Sequence, residues 1–211
     1  MSSTPLSTSH GPEYAWELAT LYPEQGGWSE EEYLQLTDET NRLIEFTDGR
    51  LEFLPMTTEM HQELAEYLFA ALQGFVRAKN IGKVHTAGIR VRIRPRKIRQ
   101  PDVVFLHKDH FHLRHNRVWD GADLVMEVVS NASKDRSRDY ETKLAEYAEA
   151  NIAEYWIVDP ERRIVVVHRL QDGRYIVHGE FAQESQATSY LLPGFAVDVT
   201  NLFAVIDEIP E

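Results

Sequence analysis

Two acidic residues of the sequence stand beside or within apolar stretches, where a charge is costly. Asp102 follows Pro101 at the start of one predicted strand, and Glu127 lies in the middle of the apolar run 124–129. An ionised carboxylate in such a run needs a paired cation or a bound metal. Two carboxylates that converge from adjacent strands form an oxygen-donor site suited to Mg²⁺ or Mn²⁺.

A lysine, Lys143, lies on the helix predicted directly after the Glu127 strand. A metal ion held by two carboxylates polarises a phosphoryl oxygen and lowers the pKa of a bound water. Lys143 could reach back from the helix to orient that water. Taken singly, Glu127 is as readily interpreted as an ion-pair partner, Asp102 as a strand-start residue and Lys143 as part of a solvated helix face. Their combination favours phosphoryl chemistry.

The charge distribution is uneven along the 211 residues. The formal net charge is -12, yet the stretch from Arg77 to Arg99 contains nine basic residues and no Asp or Glu. Phosphate binding depends on such clusters of lysine and arginine. Arg90, Arg92 and Arg94 alternate with apolar residues and lead toward Asp102, so we expect them to face phosphate. The solvated face of an antiparallel strand is the alternative.

Hydrophobic periodicity and turn signals predict a mixed order of helices and strands. The chain has no cysteine, so a metal must be held by oxygen or imidazole. The predicted strands cover 42–46, 50–54, 83–95, 102–106, 123–130, 154–158, 164–169 and 174–178, and the predicted helices cover 29–37, 58–79, 134–149 and a short segment after Asp198.

This order predicts an α/β or α+β domain with a mixed central sheet flanked by helices. Residues 1–12 are rich in Ser, Thr, Pro and Gly and are predicted to form a disordered leader before a single domain over 13–211. Apolar runs are too short to span a bilayer, and no signal pattern opens the chain, so we expect a cytoplasmic protein without membrane contact. The unbroken apolar run 164–167 needs cover on both faces, which favours a homodimer.

Four histidines, His107, His110, His112 and His115, lie close together between two predicted strands. Their spacing matches neither a helix face nor paired strands, so a solvated polar connection is the favoured interpretation. A metal loop is the alternative, and it would prefer Zn²⁺ or Ni²⁺ over Mg²⁺.

The sequence resembles the PD-(D/E)XK nuclease superfamily, and within it the Uma-type family of restriction endonucleases. The order and spacing of the motifs carry the resemblance more than any single motif does. The matching segments are 42–45 (RLIE), 48–51 (DGRL), His61, 100–105 (QPDVVF), 124–130 (LVMEVVS), 143–147 (KLAEY) and 154–160 (EYWIVDP).

The resemblance implies a restriction-endonuclease-like core and hydrolysis of a phosphodiester bond in DNA with Mg²⁺ or Mn²⁺. Asp102 and Glu127 would be the metal ligands, with the backbone carbonyl of Val128 as a third. In the standard motif the lysine stands two residues after the acid, where this chain has Val129. Lys143 on the following helix would take its place.

Two further residues match positions that the family carries near its site. These are Glu45 on the first hairpin and His61 on the long helix, which are expected to support the catalytic residues. Because a fold does not guarantee turnover, the alternative function is a catalytically silent module that binds nucleic acid or protein.

Overall fold

The computed structural model describes residues 22–40, 42–130 and 138–210. The predicted leader over 1–12 lies outside these ranges. The helices are α1 (Glu30–Asp38), α2 (Glu59–Lys79), α3 (Lys143–Glu149) and α4 (Val199–Ala204), with a 3-10 helix over Lys108–Leu113 and a π-helical turn over Arg138–Thr142. The strands are β1 (Ile44–Thr47), β2 (Arg50–Phe53), β3 (Gly82–Thr86), β4 (Val91–Arg94), β5 (Lys97–Arg99), β6 (Val103–His107), β7 (Leu124–Val128), β8 (Glu154–Asp159), β9 (Ile164–Gln171), β10 (Arg174–Phe181), β11 (Gln186–Thr188) and β12 (Ala196–Asp198).

A mixed six-stranded sheet forms the centre of the fold, with the strand order β10-β9-β8-β7-β6-β3. Strands β7 and β8 are parallel, and the other neighbours pair antiparallel. Every residue of β7 and β8 is buried, as expected for central strands covered on both faces. The predicted α/β fold with a mixed central sheet flanked by helices is confirmed.

The two faces of this sheet bury separate cores. On one face, α2 packs its residues Leu64, Leu68, Leu72 and Val76, which recur at helical spacing, against alternate residues of the strands. On the other face, Tyr147 of α3 joins a second core. The helix predicted over 58–79 therefore corresponds to α2, which follows the N-cap Thr58 and ends before the left-handed C-cap Asn80.

The apolar run at the start of β9 is divided between these two cores. Val165 and Val167 join the core under α2, whereas Ile164 and Val166 join the core under α3. The chain thus covers both faces of β9 by itself. Covering this strand therefore requires no second copy of the chain.

The predicted strand over 83–95 is wrong, because two strands of different sheets occupy that stretch. β3 pairs with β6 in the central sheet, whereas β4 pairs with β5 in a separate four-stranded sheet of order β2-β1-β5-β4. Gly88 lies between them with φ +104°, a conformation that breaks an extended strand. The period-two pattern continues across this break and conceals it.

The helix predicted over 134–149 is an α-helix only over Lys143–Glu149 within the described residues. The preceding π-helical turn, Arg138–Thr142, replaces its middle, and 134–137 lie outside the described ranges. π-helical turns of this kind are frequent at functional sites. Among the described residues, no helix combines the length and the apolar character needed to cross a membrane.

Candidate functional site

The two carboxylates predicted from the sequence meet at one end of the central sheet. Val103 of β6 pairs with Met126 of β7, so Asp102 and Glu127 come next at the same end of these strands. Glu127 contacts Lys143 and Tyr147 and so points to the face of the sheet that packs against α3, whereas Asp102, directly before β6, contacts His61 of α2. The structure brings together the two residues that the sequence proposed as metal ligands.

Glu127 is engaged at both carboxylate oxygens. Lys143 Nζ lies 2.9 Å from Glu127 Oε2, and the Tyr147 hydroxyl donates to Glu127 Oε1 at 2.6 Å. Lys143 Nζ also lies 3.2 Å from Asp139 Oδ1. The side chains of Lys143 and Glu127 are each only 3% exposed, so the lysine is not part of a solvated helix face.

Three residues at four-residue spacing deliver these contacts. Asp139, Lys143 and Tyr147 follow one another along the π-helical turn and α3, and such spacing places side chains on one helical face. Of the three, only Lys143 was predicted from the sequence. Their spacing of four residues on either side of Lys143 indicates a shared helical face, but it does not by itself indicate contacts with Glu127 or Lys143.

Asp102 is oriented by the backbone and by a histidine. The Val128 N–H donates to Asp102 Oδ2 at 2.8 Å, and His61 Nε2 lies 3.1 Å from the same oxygen. Burial raises the pKa of Asp102, but the hydrogen bond and charge of His61, together with Lys143, outweigh it and lower the pKa overall. The pKa of His61 is raised instead. Burial lowers this pKa, but the hydrogen bond to Asp102 outweighs burial and gives a net rise.

Glu127 shows the opposite behaviour. Burial raises the pKa of Glu127 to about 8, an effect that the charge of Lys143 offsets only in part and that Asp102 and Asp139 increase. Burial is thus the main reason that the Glu127 carboxyl resists ionisation, with the neighbouring carboxylates adding to it. A divalent cation bound beside it would favour the ionised form of Glu127.

A cavity of about 310 Å³ opens onto these residues. Its lining has a polar part, here called the floor, and an apolar part, here called the apolar wall. The floor contains Asp102, Glu127, Asp139 and Lys143, with His61, Gln100 and Val128 to Ser130 nearby, and the apolar wall contains Leu43, Leu54, Pro55, Met56 and Met60. All three predicted catalytic residues, together with Val128 and His61, line this one cavity.

The side chains around the cavity determine which metal ion could bind there. Within the described ranges, no group of three or more His, Asp or Glu side chains is arranged to hold a metal. A cation at this cavity would therefore depend on Asp102, Glu127, the Val128 carbonyl and water. Mg²⁺ is commonly bound through one or two carboxylates and keeps several waters, so this oxygen-donor set fits it.

Glu45 lies outside the cavity lining, in a buried ion-pair network. Its Oε2 contacts Arg99 Nη1 at 3.1 Å, and its Oε1 accepts the Gln100 N–H at 3.1 Å. Arg99 also donates from Nε and Nη2 to the two carboxylate oxygens of Glu146, at 2.8 and 2.9 Å. This network connects β1 and β5 to α3, the helix that carries Lys143.

The arginines predicted to face phosphate are paired with carboxylates. Arg90 contacts Asp38 at 2.8 Å and Arg94 contacts Asp48 at 2.7 Å. Arg92 contacts both Glu30 and Asp120. None of the three arginines lines the cavity, so the structure does not bring this group to the carboxylates.

The histidine-rich connection pairs with several separate acids. His110 Nδ1 lies 2.6 Å from Asp123 Oδ1, and His115 Nε2 lies 3.1 Å from Asp120 Oδ2. His107 Nδ1 lies 3.3 Å from Asp109 Oδ2. Each of these three histidines thus pairs with a different acid.

Comparisons with known proteins identify a family and a similar fold. The sequence model of the Uma2 family, described as "Putative restriction endonuclease", matches residues 30–200. No curated protein matches the chain. Among solved structures, the fold is similar to that of a putative nuclease belonging to DUF820 from Anabaena variabilis ATCC 29413, with a TM-score of 0.63 and 16% sequence identity.

The similarity covers 87% of this chain and 99% of the Anabaena protein. At that identity the likeness concerns the fold alone. The family match spans Asp102, Glu127 and Lys143 as well as the strands and the helix that position them. The chain therefore belongs to the Uma2 family of putative restriction endonucleases.

Proposed function

We propose that this protein is a metal-dependent DNA endonuclease that hydrolyses phosphodiester bonds at the cavity formed by Asp102, Glu127 and Lys143. The observation that carries the proposal is the buried contact between Lys143 Nζ and Glu127 Oε2 at 2.9 Å, beside a second carboxylate at the same strand ends. Removing a lysine and a glutamate from water is costly. Site chemistry gives a reason to retain them there.

Asp102 and Glu127 would hold Mg²⁺ or Mn²⁺ together with the Val128 carbonyl. When bound, such an ion supplies Lewis-acid polarisation of the phosphoryl oxygen and a more acidic water. The Val128 N–H and His61 fix the orientation of Asp102. Lys143 would orient the attacking water and offset negative charge that develops on the phosphate.

One observation favours a second candidate, a nuclease-fold binding module without turnover. Both oxygens of Glu127 already have partners, Lys143 on one side and Tyr147 on the other. A metal ligand would have to exchange or share one of these contacts. The binding module requires no such exchange.

The deciding experiment is nicking of supercoiled plasmid at low salt with Mg²⁺ or Mn²⁺. Wild type is compared with Asp102→Asn, Glu127→Gln and Lys143→Met, and with the matched surface variants Asp172→Asn and Lys108→Met, whose parent residues are exposed. We expect metal-dependent nicking that falls by about a hundredfold or more in the three site variants, as for loss of an electrostatic group at an active site.

Equal nicking by the site variants and the surface variants would assign the activity to a contaminant or to another site. DNA binding without any nicking by wild type would favour the silent binding module. Full nicking by Lys143→Met alone would remove the lysine from the mechanism while leaving the two carboxylates in it.

A further inference from the structure

The apolar wall of the cavity serves neither the carboxylates nor the lysine. The chain between β2 and α2 supplies most of it, through Leu54, Pro55 and Met56, and Leu43 and Met60 complete it. Phosphoryl transfer itself requires charge, hydrogen bonds and a metal rather than an apolar surface. The apolar wall is therefore suited to contact an apolar group of a ligand.

Two exposed apolar side chains belong to this wall or stand next to it in the sequence, Met56 in the wall and Phe53 directly before Leu54. Met56 is 94% exposed and Phe53 is 53% exposed, and these are two of the six large hydrophobic residues that are exposed in the described ranges. The guanidinium of Arg42 lies 6.0 Å from the ring centroid of Phe53, within the range of a cation–π contact. Exposed apolar groups that adjoin a polar cavity indicate a ligand with an apolar face.

The depth of the catalytic residues restricts how a substrate can reach them. Glu127 and Lys143 are each 3% exposed at the floor of a cavity of about 310 Å³. This volume lies at the small end of the range for sites that enclose one small-molecule ligand. A single nucleotide is of that scale, whereas an intact duplex keeps its bases stacked inside and offers only its phosphates and groove edges.

The arginines of the basic stretch do not favour binding to duplex DNA either. Arg90, Arg92 and Arg94, on the strand predicted to face phosphate, are each in an ion pair with an acidic residue of the chain. Affinity for duplex DNA depends mainly on basic groups that are free to neutralise phosphates. Proteins that bind unpaired strands gain affinity from bases stacked on aromatic and apolar side chains.

From these observations we infer that the cavity takes an unpaired nucleotide, with its phosphodiester on the polar floor and its base against Met56 and the neighbouring apolar wall. Phe53 and Arg42 form a stacking platform for the adjoining base. This inference rests on the proposed endonuclease function and narrows its substrate class to single-stranded DNA and to duplexes with an unpaired segment at the cut site.

The test compares three fluorescent oligonucleotides: a single strand, the blunt duplex of the same sequence, and that duplex with a single-stranded flap. Binding is measured by anisotropy without added metal, and cleavage is measured separately with Mg²⁺ or Mn²⁺. The variants are Phe53→Ala/Met56→Ala and the matched control Val177→Ala, whose parent side chain is exposed on β10. All substituted side chains are exposed, so folding is preserved.

We expect wild type to bind the single strand and the flap at least about tenfold more tightly than the blunt duplex. The double variant should lose about tenfold for the unpaired substrates, at the low end for loss of base stacking, while Val177→Ala retains wild-type affinity. Equal binding of duplex and single strand, equal losses on every substrate, or no DNA binding would overturn the inference. Metal-dependent cleavage with no preference for unpaired DNA would overturn this inference but support the proposed endonuclease function. Selective binding of unpaired DNA without cleavage would support the inference about the ligand but contradict the endonuclease function.

Discussion

The Tyr147 hydroxyl donates to Glu127 Oε1 at 2.6 Å, on the carboxylate oxygen opposite the one that Lys143 contacts. Tyr147 is fully buried, and its ring also packs in the core between α3 and the central sheet. The tyrosine thus performs two tasks, since its ring fills the core and its hydroxyl fixes the rotation of the carboxylate.

Tyr147→Phe separates these two tasks. The ring is retained, but Glu127 loses a hydrogen bond in a buried setting, and we expect a loss of about 1–3 kcal/mol in the free energy of unfolding. Urea unfolding without metal measures it. Tyr190→Phe is the matched control, because the exposed Tyr190 side chain should tolerate the change with little effect. Equal stability of the two variants would show that the Glu127 contact contributes nothing.

The raised pKa of Glu127 predicts a pH dependence of stability. Burial raises this pKa from 4.5 to about 8 in the folded protein. Between these values the unfolded chain loses the proton and the folded protein keeps it, so the folded state binds more protons and stability falls as pH rises. Below about pH 4.5 both states are protonated at this group, and above about pH 8 its full destabilisation is present.

Glu127→Gln removes this titration and keeps the size of the side chain. Urea unfolding of both proteins at pH 5, 7 and 9 without metal should show wild type losing stability relative to the variant as the pH increases. Asp172→Asn, at an exposed position, is the control and should follow wild type. A stability difference between wild type and Glu127→Gln that stays constant from pH 5 to 9 would contradict the raised pKa.

Metal binding should reverse part of the destabilisation. A ligand that binds only the folded state at a hundredfold excess over its Kd adds about 2.7 kcal/mol. For a domain of this size that corresponds to a rise in Tm of about 5 °C or more. We expect Mg²⁺ or Mn²⁺ to produce it in wild type but not in Asp102→Asn, as measured by differential scanning calorimetry. A larger rise with Zn²⁺ or Ni²⁺ that survives in Asp102→Asn would move the metal to the histidine-rich connection.

The sequence predicted the acidic pair of the site because each carboxylate stands out against its surroundings. Glu127 interrupts a run of apolar residues. Because burying a charged group there is costly, its presence identifies a special position. Tyr147 shows no such contrast, because a tyrosine on the inner face of a helix is ordinarily part of the core. Its hydroxyl contact depends on how α3 lies against β7, which packing determines.

The prediction for the arginines shows what local periodicity cannot determine. Period-two alternation identified Arg90, Arg92 and Arg94 as one face of a strand, and in the structure they pair with Asp38, Glu30 and Asp48. These acids lie 46 to 62 residues earlier in the chain. Local periodicity predicts a face, but the tertiary fold decides which residues cover it.

Arg99 lies at the centre of a buried ion-pair network. This side chain is 5% exposed and contacts Glu45 and both oxygens of Glu146. Arg99→Met leaves two buried carboxylates without their main partner, and we expect a loss of about 3–5 kcal/mol in the free energy of unfolding at pH 7. Arg162→Met is the matched control: it removes an exposed contact to Glu180 and should cost about 1 kcal/mol or less.

The pH dependence of that loss tests its origin. Burial raises the pKa of Glu146, but Arg99 and Lys97 outweigh burial and lower the pKa below its usual 4.5. A lowered pKa contributes stability that is present above pH 4.5 and is lost as the pH falls through the folded value. The advantage of wild type over Arg99→Met in urea unfolding should therefore shrink from pH 7 to pH 3. An unchanged advantage would mean that Arg99 acts through packing of its aliphatic stem rather than through its charge.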